Sequence, residues 1–131
     1  RRCRRRRRAH AHRRRARARP LRADAEGLAL YTRPDGSGYL IASSQGNSTY
    51  LVFDRKQNKL VGRFKINEDT YDTVTGSDGI FSTSRSLGEQ YLAGAFIAHD
   101  HQNHDDGRLM NQNFKIIDWR TIEVQLTNNE R

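Results

Sequence analysis

A chain of 131 residues allows one ordinary domain, and its formal charge of +9 is not spread evenly along it. Residues 1–20 hold twelve arginines and no acid, and subtracting these from +9 leaves −3 for residues 21–131. That excludes a fold-wide basic surface for nucleic acid in the body. The single Cys3 excludes an internal disulfide, and no stretch approaches the roughly 20 apolar residues of a membrane helix.

In chain order the first segment, Arg1 to Pro20, mixes Cys3, His10 and His12 with arginine and alanine and has no apolar run of the kind a secretory signal needs. Twelve like charges repel and little of the segment can be buried, so it is expected to be disordered and outside the fold. An arginine-rich arm for RNA, DNA or acidic lipid is one reading, with affinity that falls as salt rises. A leader unrelated to the body is the other. The start at Arg and the abrupt change of composition near Pro20 favour the leader.

The body opens with Asp24-Ala25-Glu26-Gly27. In an extended chain, residues two apart share a face, so Asp24 and Glu26 present two carboxylates together while Gly27 leaves room for a backbone to approach. Such a pair suits a bridging calcium ion, and it is equally what a solvated strand end presents.

Four strand-like runs follow, starting at Leu28, Gly38, Thr49 and Leu60. Turn-forming segments separate them: Arg33-Pro34-Asp35-Gly36-Ser37, Gln45 to Ser48, and Asp54 to Lys59. The spacing is too short for intervening helices and predicts a four-stranded antiparallel meander, either one propeller blade or half of a sandwich.

Beyond the acidic stretch Asp72 to Asp78, Gly79-Ile80-Phe81, Gly94 to Ala98 and Asn113 to Ile117 read as further strands. His99 to Gly107 reads as a polar loop. Its imidazoles would suit a transition metal, but the oxygens of Asp100, Gln102 and Asn103 suit calcium better. Tyr31, Tyr39, Tyr50, Phe53, Phe64, Phe96 and Phe114 are expected in the core or between blades. Gly27, Gly46 and Gly79 are expected in turns, and residues 120–131 are expected to form a short helical turn or to fray.

The ordered series Asp24-Ala25-Glu26-Gly27-Leu28, Gly38-Tyr39-Leu40-Ile41-Ala42-Ser43-Ser44-Gln45-Gly46-Asn47-Ser48, Phe64-Lys65-Ile66, Ser77-Asp78-Gly79-Ile80 and Asn111-Gln112-Asn113-Phe114-Lys115 resembles the β-propeller phytases over residues 21 to about 122. The resemblance implies an all-β fold: an antiparallel four-stranded blade plus part of the next, a fragment of a six-bladed propeller, with residues 1–20 outside it.

It also implies calcium-dependent removal of phosphate from inositol hexakisphosphate, of the 3-phytase type. Clustered calcium ions would offset the charge of phytate and activate a water. Carried over onto this sequence, Glu26, Asp24 and Asp72 are the catalytic candidates and Gln45 and Asp78 the phosphate-site candidates. Asp24, Glu26, Asp72, Asp78, Asp100, Gln102 and Asn103 are the metal candidates.

A secreted or periplasmic location, no membrane, and a monomer when complete follow from the same resemblance. The isolated chain is expected to be inactive, because the family's phosphate-gripping Lys and Arg come from other blades. Thr73-Val74-Thr75-Gly76, Phe81 and His99-Asp100-His101 depart from the family pattern and imply weaker calcium binding. Two further readings are a calcium-binding β module without catalysis and an arginine-rich nucleic-acid arm carried on a β domain.

Overall fold

The computed structural model describes residues 27–44, 49–66, 79–100, 104–105 and 107–129. Strands β1 (Leu28–Thr32), β2 (Gly38–Ser44), β3 (Thr49–Asp54) and β4 (Leu60–Phe64) form one antiparallel sheet in the order β1-β2-β3-β4. The two described turns carry their own stabilising contacts. Asp35 Oδ1 accepts from the Ser37 amide at 2.9 Å between β1 and β2, and Asp54 Oδ1 accepts from the Lys56 and Gln57 amides at 2.9 and 2.7 Å between β3 and β4. Short side-chain acceptors closing on amides two or three residues ahead are how Asp sets a tight turn.

A second antiparallel sheet has the order β5 (Ile80–Thr83), β6 (Ala95–Asp100), β9 (Asn113–Asp118). A small hairpin of β7 (His104–Asp105) and β8 (Arg108–Leu109) lies between β6 and β9 in the chain. The segment expected as one polar loop from His99 to Gly107 therefore includes strand residues. β6 runs on through His99 and Asp100 because both pair with β9, opposite Phe114 and Asn113.

The two sheets pack face to face. Tyr31, Ile41, Tyr50, Val52 and Phe64 from the first sheet meet Phe96, Ala98 and Ile117 from the second in one buried core. Phe96 stands edge-on to Tyr50 and Phe64, with ring centroids 5.0 and 5.2 Å away. That T-shaped geometry sets the positive ring edge against the negative ring face. β1 and β5 lie side by side and run the same way, since Gly27 touches Ile80 at one end and Ser84 Oγ donates to Thr32 O at the other.

Where a short helical turn or fraying was expected from residue 120, Trp119–Asn129 form the helix α1 of eleven residues. Trp119, Ile122 and Leu126 are buried at helical spacing, and Asp118 Oδ1 accepts from the Arg120 amide at 3.0 Å, an N-cap. Trp119 is fully buried. Its ring stacks on Tyr31 at 3.8 Å, and its Nε1 donates to Glu123 Oε1 at 3.1 Å. Arg33 lies over the Tyr39 ring and pairs with Glu123 at 2.9 Å.

From this end α1 runs along β4 and β9. Near its far end Gln125 grips the backbone of Lys65, accepting from the Lys65 amide at 3.3 Å and donating to its carbonyl at 3.2 Å.

The outer face of the second sheet is apolar and open. Phe81, Ile97 and Ile116 are in register across it, with Phe114 further along β9. Phe81 is 58% and Phe114 67% exposed, so Phe114 does not belong to this chain's core. The reason is its position: it lies on β9, an edge strand, on the face away from the first sheet.

Candidate metal and phosphate site at one end of the sheets

One end of the paired sheets gathers the polar interior. At the start of β1 the Gly27 amide donates to Ser43 Oγ at 2.8 Å, and the Ser43 amide donates to Gly27 O at 3.0 Å. Gly27 is a close-approach glycine rather than the expected turn glycine. A Cβ there would stand 2.9 Å from Ile80 Cγ1 and 3.3 Å from Ser43 Oγ, so a side chain at this position would require the Ile80 side chain to shift. At the start of β5, the carbonyl of Gly79 accepts from the His99 amide at 2.9 Å. The ends of β2, β4 and β6 and the starts of β1, β3, β5 and β9 thus share this edge of the molecule.

Ser43, Ser44, Thr49 and Asp100 are all buried here. Asp100 is 0% exposed and sits opposite Asn113 in the β6–β9 register. Directly opposed residues in an antiparallel pair share a face, so Asp100, Asn113 and Lys115 all belong to the inner side of the second sheet. Lys115 Nζ lies 3.9 Å from Asp100 Oδ2. Among the described residues, Asn113 Oδ1 and Ser44 Oγ are buried without a hydrogen-bond partner. On the outer face, His99 Nε2 meets Gln112 Oε1 at 3.2 Å and its ring lies 5.5 Å from that of Phe114.

Of the residues singled out from sequence, Asp100 is the one that falls among the described residues. Asp24, Glu26, Gln45, Asp72, Asp78, Gln102 and Asn103 lie outside them. Their neighbours in the chain are informative. Gly27 follows Glu26, Ser44 precedes Gln45, Gly79 follows Asp78, and Asp100 leads into Gln102 and Asn103. Asp72 belongs to the segment joining the end of β4 to the start of β5. Every described strand end next to a candidate residue is at this one edge.

Among the described residues there is no cluster of three or more His, Cys, Asp or Glu. What they do contribute on the inner face of the second sheet is a fully buried carboxylate, Asp100, with the amide oxygen of Asn113 directly opposite it. Such a donor set fits a hard cation such as calcium, which takes oxygen ligands. Lys115, two positions after Asn113 on the same face of β9, was not singled out from sequence. Same-face spacing within one strand was the signal that could have found it.

A separate groove of about 460 Å³ runs between β1 and β5, lined by Leu28, Leu30, Leu40, Ile80, Phe81 and their neighbours. Its walls are apolar, so it offers nothing to a phosphate and is distinct from the polar edge.

The Phytase family model matches residues 8–130. This chain belongs to the phytase family. Its match begins within the arginine-rich stretch and covers both sheets and α1. The chain is also similar to a 3-phytase of Bacillus subtilis (strain 168), 44% identical over 108 residues. That alignment takes in 81% of this chain and 28% of the relative, so the chain spans under a third of the relative's length. The all-β architecture seen here, a four-stranded antiparallel sheet followed by part of another, is that of a propeller blade and part of the next.

Proposed function

We propose that residues 21–131 supply one part of a calcium-dependent site that hydrolyses phosphomonoesters of phytate, in the manner of a 3-phytase. The observation carrying this reading is the convergence of the strand ends adjoining Glu26, Gln45, Asp78 and Gln102 on the edge that buries Asp100. Phytate is a polyanion and the body carries −3, so the two repel unless cations stand between them.

Calcium, when bound, supplies that neutralisation and polarises phosphoryl oxygens. Asp24, Glu26, Asp72 and Asp78 would hold calcium for the substrate, and Asp100, Gln102 and Asn103 would hold a structural calcium ion. Glu26 and Asp72 orient the attacking water, and Gln45 donates its amide to phosphate. The backbone pairing of Gly27 with Ser43 fixes the start of β1, which follows Glu26 in the chain.

The test uses a complete phytase-type propeller carrying residues 21–131. It is expected to release phosphate from phytate with calcium and to stop when chelator is added. Glu26→Ala is expected to lower kcat at least about 100-fold with little change in KM, the signature of an interaction made in the transition state. The exposed turn variant Lys56→Ala should leave both unchanged. Near-normal turnover in Glu26→Ala would return this edge to a calcium-binding role without chemistry.

A further inference from the structure

Lys115 stands beside the buried carboxylate of this edge. Its side chain is 13% exposed, and its ammonium lies 3.9 Å from Oδ2 of Asp100, which is 0% exposed. The distance exceeds a hydrogen bond, so the interaction is one of charge with charge. It is built in by register. Asp100 pairs directly with Asn113 and Ala98 with Lys115, which sets Lys115 on the diagonal from Asp100 on the inner face. A carboxylate held out of water is unfavourable without a cation nearby, and the fold provides one from the adjacent strand.

We propose that Lys115 is a positioning residue that acts as a built-in competitor for the cation at Asp100. It offsets the buried carboxylate when calcium is absent and weakens calcium binding when the ion arrives. This rests on the calcium reading of Asp100. A divalent ion on the Asp100 carboxylate would stand within a few ångströms of the ammonium, in an interior where solvent screens poorly. Repulsion at that range lowers affinity, and the carboxylate that calcium gains is one that Lys115 must give up. Lys115 therefore trades calcium affinity for stability of the ion-free fold, and it sets the calcium concentration at which the edge fills.

The test is calcium titration of the 131-residue chain by calorimetry, with thermal melts in calcium and in chelator. The site concerned is defined as the one that Asp100→Asn removes. Lys115→Met is expected to bind calcium about tenfold more tightly there while melting lower than wild type in chelator. Lys115→Gln, which keeps a polar group at this half-buried position, is expected to tighten the site in the same direction. Lys115→Arg keeps the charge and should stay within about twofold of wild type. A purely structural lysine would lower the melt without raising affinity.

Unchanged or weaker affinity in both Lys115→Met and Lys115→Gln, with Asp100→Asn still removing the site, overturns the competitor role and leaves the calcium reading standing. Calcium binding untouched by Asp100→Asn overturns the calcium reading of Asp100 itself, and the competitor role with it.

Discussion

Replacing Trp119 with alanine tests how the helix is held. The indole is fully buried, stacks on Tyr31 at 3.8 Å and donates to Glu123 at 3.1 Å. Truncating a buried Trp to Ala costs about 3 to 5 kcal/mol, and the lost aromatic pair adds about 1 kcal/mol. The pair of Arg33 with Glu123 is more than a third exposed on both sides, so it contributes under about 1 kcal/mol.

Packing, not charge, should therefore dominate. A domain of this size has about 5 to 15 kcal/mol of stability in all, so Trp119→Ala is expected to remove a large share of it. Urea unfolding in calcium, followed by circular dichroism, should show the midpoint fall by about 2 to 3 M at a slope near 2 kcal/mol/M. Glu123→Gln should move it by less than about 1 M. A loss under about 1 kcal/mol for Trp119→Ala, or equal losses for the two variants, would refute the assignment of α1's hold to the indole.

Gly94 has φ +89°, and a Cβ there would stand 1.9 Å from Thr83 O, so Gly94→Ala is expected to cost about 3 kcal/mol or more, read by the same unfolding assay. The side-chain hydrogen bond from Arg120 holds the Asp118 carboxyl below the usual aspartate range. Its contribution is therefore fully present above the unfolded pKa of about 3.9 and is lost as pH falls through the lower folded value, and Asp118→Asn should flatten stability against pH in that acid window. Calcium at about 100 times its Kd should raise stability by about 2.7 kcal/mol, seen as a higher melting temperature that chelator reverses. Deleting residues 1–20 should abolish salt-sensitive retention on heparin and leave the melt and the calcium isotherm unchanged, since the deleted segment carries all of the excess positive charge.

The first sheet was legible to the residue. Strands expected to start at 28, 38, 49 and 60 do so, because Asp35, Gly36 and Asp54 mark the turns by chemistry that acts within a few residues. The second sheet was less legible. Ile97, Phe114 and Ile116 on its outer face are as apolar as Phe96, Ala98 and Ile117 on its inner face, so alternation could not say which side is covered.

The helix α1 was underestimated for a local reason. Its cap, Asp118, is also the last residue of β9, and its buried stripe is only three residues long. For the site, Asp100 could be placed from the motif around it. Its partners on β9 could not, because Asn113 and Lys115 reach it only through the register of two strands separated by the β7–β8 hairpin.

The helix α1 also acts as a strut. Eleven residues at 1.5 Å each make a rod about 16 Å long, clamped at one end by the Trp119–Tyr31 stack and pinned near the other by Gln125 on the Lys65 backbone. Lys65 stands two residues before the segment that carries Asp72. The aromatic clamp is at the end of the sheets remote from the polar edge, so the Lys65 backbone is braced from the opposite end of the sheets. A loosened clamp would then register as extra motion at Lys65, in quickened amide exchange there, before any strand of either sheet gives way.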